Sequence, residues 1–96
     1  MKILIVDDNS ENIVLMRETL HGREFTILSA LDGLSGIQIT REEMPDLVLL
    51  DVNMPGMSGF EVCKVLKQDP QTAQIPIIMI TALSDVDHRV QGLAAG

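Results

Sequence analysis

Tryptophan and tyrosine are absent from the 96 residues, and phenylalanine occurs only twice. Little aromatic surface is left to stack a flavin ring, and no glycine-rich loop follows the first apolar run to hold its phosphate. The single cysteine, Cys63, cannot close an internal disulfide, which points to a reducing compartment such as the cytoplasm. Lys and Arg number 7 against 14 Asp and Glu, for a net charge of −7 at pH 7. Cations so few and so scattered do not build the basic patch that direct nucleic-acid contact requires. No apolar run reaches the length of a membrane span, and Met1-Lys2 passes straight into a strand pattern without a signal peptide. No membrane contact is expected. His21 and His88 lack a His or Cys partner at ligand spacing and read as surface residues of helices.

What is present is an alternation of short apolar runs with helical patterns. Hydrophobic residues make up 46% of the chain, which suits one globular domain over residues 1–96. Strands are expected at Lys2–Val6, Phe25–Ala30, Leu47–Leu50 and Ile77–Ile80. The second is the most mixed in character and suits a sheet edge. The first helix is expected to open on Ser10 as its cap, to carry Ile13, Met16 and Leu20 on one face, and to close at Gly22. A second follows Gly33 with Leu34 and Ile37 spaced for burial, and Pro45 marks its end. A third opens at Ser58 with Val62, Val65 and Leu66 inward, and Asp69-Pro70 breaks it. Val86–Ala95 reads as a last helix before Gly96. Cys63 on the third helix reads as a partly buried thiol. The fold class is α/β, a parallel sheet with helices on both faces.

The strand ends carry the chemistry. Parallel strands bring their carboxyl ends to one edge, and Asp7, Asp8, Asp51 and Thr81 all stand there. Adjacent strands lie about 4.8 Å apart, so three carboxylates would come within range of mutual repulsion and raise the pKa of at least one. A divalent cation removes the conflict, and an all-oxygen ligand set favours Mg²⁺ or Mn²⁺ over zinc. Asp8 and Asp51 would be its direct carboxylate ligands, with Asp7 close by or acting through water and the backbone carbonyl of Asn53 in reach. Asp51 can then act as a nucleophile toward a phosphoryl donor and form an acyl phosphate. Thr81 can hydrogen-bond a phosphoryl oxygen. Each residue also has a plainer reading taken singly: a solvated acid at a turn, a turn pair, a capping hydroxyl. Their joint placement on one edge argues against that for Asp51.

Ile5-Val6-Asp7-Asp8, Leu49-Leu50-Asp51-Val52-Asn53-Met54-Pro55-Gly56-Met57-Ser58-Gly59-Phe60-Glu61 and Ile80-Thr81-Ala82 resemble the three signature blocks of bacterial two-component response-regulator receiver domains. The resemblance runs the whole chain, and the middle block is its most specific part. It implies a flavodoxin-like sheet of order 2-1-3-4 here, with Asp51 as phosphoacceptor for a histidine kinase or histidine phosphotransfer protein. It implies Mg²⁺ on Asp7 and Asp8, and Thr81 as the switch hydroxyl. An output domain or effector protein would read the switched surface. The Asp69-Pro70 and Ile75-Pro76 pattern is similar to receivers of diguanylate-cyclase or hybrid-kinase type.

The family continues into a fifth strand ending on Lys-Pro, which this chain does not contain. A C-terminally truncated receiver is therefore expected, with Ile77–Ile80 as an open apolar edge through which two copies could pair. Two other functions compete. A receiver-like module that is never phosphorylated would act through a protein surface alone. An aspartyl-phosphate phosphohydrolase, similar to haloacid-dehalogenase-type enzymes, needs a second acid two residues past the nucleophile, where Asn53 stands. The leading expectation is a phosphoacceptor switch with self-catalysed transfer onto Asp51, not a turnover enzyme.

Overall fold

Lys2–Val6 forms strand β1, and its apolar residues are buried on both faces, as expected where helices cover a parallel sheet from either side. The structure, a computed structural model, describes residues 1–20 and 24–80. The helix expected over Val86–Ala95 and the hydroxyl of Thr81 lie outside the described residues. Within them, helix α1 (Ser10–Leu20), strand β2 (Thr26–Ala30), helix α2 (Gly33–Glu43), strand β3 (Leu47–Asp51), helix α3 (Gly59–Gln68) and strand β4 (Ile77–Ile80) follow in turn. All strand pairs are parallel, in the order β2-β1-β3-β4.

That order decides where the helices go. From β1 the chain steps one way to β2, then crosses back over β1 to β3 and continues to β4. Right-handed crossovers therefore put α1 on one face and α2 and α3 on the other. The burial pattern agrees. Leu4, Val6, Val48, Leu50, Ile77 and Met79 form one core with Ile37 of α2 and Val62, Cys63 and Leu66 of α3. Ile3 and Ile5 alternate to the opposite face, where Ile13 of α1 is buried. The reversal of direction falls between β1 and β3, the crevice in which such sheets bind ligands.

Five local expectations need correction. Ser10 is the first helical residue, and Asn9 is the cap: its carbonyl accepts the Ile13 N–H at 3.3 Å and its Oδ1 accepts the Glu11 N–H at 2.9 Å. Strand β2 begins at Thr26 rather than Phe25, and β3 extends through Asp51. Leu34, expected inside, is 70% exposed. The buried face of α2 is Gly33, Gly36, Ile37 and Thr40, a helical stripe of mostly small residues. Their smallness lets the helix lie close to the sheet, since a Cβ on Gly36 would stand 2.8 Å from Val6 Cγ2. Cys63 is buried rather than partly so, and burial pushes its thiol pKa up despite Lys67 nearby.

The link from α3 to β4 solves a problem set by proline. In a continuing helix the Leu66 carbonyl would take the N–H of residue 70, but Pro70 has none. The buried hydroxyl of Thr72 supplies the missing donor, 2.6 Å from Leu66 O. Lys67 ties down the same loop through the carbonyls of Ala73 and Ile75, at 3.1 and 2.8 Å. Thr72→Val keeps the shape and removes the donor, so it should cost about 1–3 kcal/mol in urea unfolding followed by circular dichroism. Thr72→Ser should retain most of that stability. Equal stability of wild type and Thr72→Val would show that the hydroxyl carries no such role.

Candidate functional site

Strand register places the acids. Val6 of β1 pairs with Leu50 of β3, so Asp7, just past the end of β1, and Asp51, the last residue of β3, both stand one residue beyond a matched pair. Asp8 follows at the start of the β1–α1 turn. One carboxylate oxygen from each of Asp7, Asp8 and Asp51 lies within 4.8 Å of the others. Asp7 is buried, Asp51 half-buried and Asp8 exposed, so the cluster opens toward solvent on the side of Asp8.

The three differ in how far the protein satisfies them. Asp7 Oδ1 accepts the Asn9 N–H at 2.9 Å, and its Oδ2 accepts Asn12 Nδ2 at 3.2 Å. Asp51 Oδ1 accepts a longer bond from the Asn53 N–H, at 3.3 Å. Burial, the charge of Asp7, and the hydrogen bond and charge of Asp8 together raise the Asp51 pKa from 3.8 to about 6, with the Asn53 N–H pulling the other way. Desolvation is the largest of these causes. Asn9 and Asn12 are the residues that sequence reasoning passed over. Asn9 carries a recognisable signal, an amide two residues after an aspartate at a turn, whereas Asn12 is an ordinary helix residue until the fold brings it over Asp7.

The β3–α3 loop holds Asp51 from below. Val52 donates to Ile80 O at 3.0 Å and accepts from the Gly59 N–H at 2.9 Å, which clamps the residue after the acid between β4 and α3. Gly56 turns the loop with φ at +81°, a conformation that costs glycine little. Met54 is buried and anchors the loop in the core. Ser58 and Glu61 close a reciprocal capping box at the start of α3. The donor set is three hard carboxylate oxygens with an unrelieved charge conflict at Asp51, and it fits a hard divalent cation.

The raised pKa carries a sign for stability. Between about pH 4 and 6 the folded state holds a proton on Asp51 that the unfolded chain has released. Stability from this group is therefore full below pH 3.8 and lost as pH rises through about 6. In metal-free buffer, Asp51→Asn should gain stability relative to wild type across that window, read from urea midpoints. Curves that stay parallel would contradict the burial and crowding assigned to Asp51.

Comparison with known proteins gives the arrangement its family. Residues 3–96 match the family described as the response regulator receiver domain. The chain is similar to response regulator PleD of Caulobacter vibrioides, 43% identical over 95 residues, which cover 99% of this chain and 21% of that protein. It is also similar to the phosphate regulon transcriptional regulatory protein PhoB of Rhizobium meliloti, at 41% identity over 99% of this chain and 42% of that one. The chain thus spans less than half the length of either relative. In three dimensions it resembles the N-terminal domain of a response regulator receiver protein from Methanoculleus marisnigri, with a TM-score of 0.85 and 30% identity over 98% of this chain and 76% of that one. With the sheet order, the acidic edge and the match in agreement, the chain belongs to the response regulator receiver domain family.

Proposed function

We propose that this domain is the phosphoacceptor of a two-component phosphorelay and that Asp51 takes the phosphoryl group. The observation that carries the reading is the convergence of Asp7, Asp8 and Asp51 within 4.8 Å at the switch point of a receiver fold. An Asp51 carboxylate oxygen forms the new O–P bond while the P–N bond to a donor histidine breaks, and the imidazole nitrogen keeps the bonding electron pair. The donor is a histidine kinase or a histidine phosphotransfer protein. Asp8, Asp51 and the Asn53 carbonyl would hold Mg²⁺, or Mn²⁺ in its place, with Asp7 supporting from its buried position. When bound, the cation supplies neutralising charge for the phosphoryl oxygens.

Asp7 stays fixed by Asn9 and Asn12, which keeps its charge aimed at the site. Thr81 is proposed as the switch hydroxyl, and the phosphorylated state biases a surface read by an output domain or effector protein. The chemistry ends on the protein itself, so the domain is a switch and not a turnover enzyme. The lone Cys63 and the reading as a two-component module favour the cytoplasm. Contact with nucleic acid is not part of this domain's role on its charge of −7. No helix among the described residues is long and apolar enough to cross a membrane.

Intact-mass analysis after acetyl phosphate and Mg²⁺ tests the reading. One added phosphoryl is expected on wild type, and none on Asp51→Asn or in a metal-chelated sample. A folded, unmodified wild type would instead favour a receiver-like module that acts through a protein surface alone.

A second observation supports pairing of two copies. β4 is an outer strand of the described sheet, and Ile78 on it is 39% exposed. We propose a dimer in which the outer side of this strand pairs between the two copies. Light scattering should show mass rising with concentration, and Ile78→Lys should hold the protein monomeric. A wild type that is monomeric at every concentration would remove this proposal.

A further inference from the structure

We infer that Gly59 is a positioning residue for the acidic site, because its missing side chain lets α3 seat directly on the backbone of Asp51. Gly59 is the first residue of α3, and it is buried. A Cβ at this position would overlap the Asp51 carbonyl oxygen and stand 2.8 Å from Val52 Cα and 3.0 Å from the Asp51 carbonyl carbon. These are backbone atoms, so no side-chain rotation relieves the overlap. The other close helical glycines differ: at Gly33 and Gly36 a Cβ would meet side chains of Val62, Met57 and Val6.

Neither partner can retreat without loss. The helix is held by Val62, Cys63 and Leu66 in the core and by the Ser58–Glu61 capping box. The strand end is held by the Val52 N–H on Ile80 O at 3.0 Å. Separating them breaks the bond from the Gly59 N–H to Val52 O, 2.9 Å long, and shifts the peptide that carries the Asp51 side chain. Mg²⁺ requires near-ideal octahedral geometry at short metal–oxygen distances, so a small shift of one carboxylate against the others lowers affinity. Changes to groups that support ligands from behind typically cost about 10- to 100-fold in metal affinity.

The inference rests on the proposed cation reading of the same carboxylates, and the test separates the two. Isothermal titration with Mg²⁺ compares the full chain as wild type, Gly59→Ala and Ile37→Val. The last is a mild core change on α2, a helix that carries none of the three acids. All three are measured in sucrose, which favours the compact state and keeps a destabilised variant folded. Circular dichroism confirms that each is folded. Wild type and Ile37→Val should bind alike, and Gly59→Ala about 10- to 100-fold more weakly. Gly59→Ala binding as tightly as wild type would overturn the positioning role while leaving the cation site intact. A wild type that binds no Mg²⁺ would overturn the cation reading and this inference with it.

Discussion

Repulsion among three carboxylates, imposed by the sheet, is the constraint around which the site is arranged. Parallel strands must deliver their ends to one edge, and the reversal of direction between β1 and β3 leaves a crevice there that no crossover helix fills. Asp7 and Asp51 are forced into it by the pairing of Val6 with Leu50. A one-residue slip in that register would turn every buried side chain of β1 or β3 to the wrong face, so the core that stabilises the domain also fixes the distance between the acids. Stability and function are coupled through the same hydrogen-bond ladder.

The surroundings resolve the conflict unevenly. Asp7 is buried but accepts bonds from Asn9 and Asn12, whereas Asp51 accepts a longer bond from Asn53 and has a pKa raised to about 6. Asp8 remains open to water. The uneven treatment leaves one hydrogen-bonded carboxylate, one solvated carboxylate and one whose charged form its surroundings disfavour. Such an acid gains most when a cation arrives. Behind it, α3 and β4 grip Val52 from two sides, so the energy of that conflict is not released by movement of the strand end.

Much of this was legible in the chain because the decisive signals are local and repetitive. Continuous apolar runs such as Ile3–Val6 mark strands covered on both faces, and an aspartate directly after such a run must appear at the sheet edge. The departures arise where packing and turn geometry decide. Leu34 has the size and apolarity of a core residue, yet close helix–sheet packing puts Gly33 and Gly36 on the inner face. Ser10 is a capping residue type, but Asn9, one residue earlier, makes the bonds. Asn12 and Thr72 act on partners that only the folded chain brings near, Asp7 in one case and the carbonyl orphaned by Pro70 in the other. Both bonds span only five or six residues, but they depend on how the chain between the partners folds, which composition and spacing do not specify.

The account turns on the charge conflict at Asp51, and its most direct test is the pH titration of that residue's carboxyl carbon by NMR. In metal-free protein the midpoint should fall near 6, well above the ordinary 3.8, and saturating Mg²⁺ should carry it back down. A midpoint near 3.8 with and without Mg²⁺ would mean that the three acids do not share one site, and the account built on their convergence would fail.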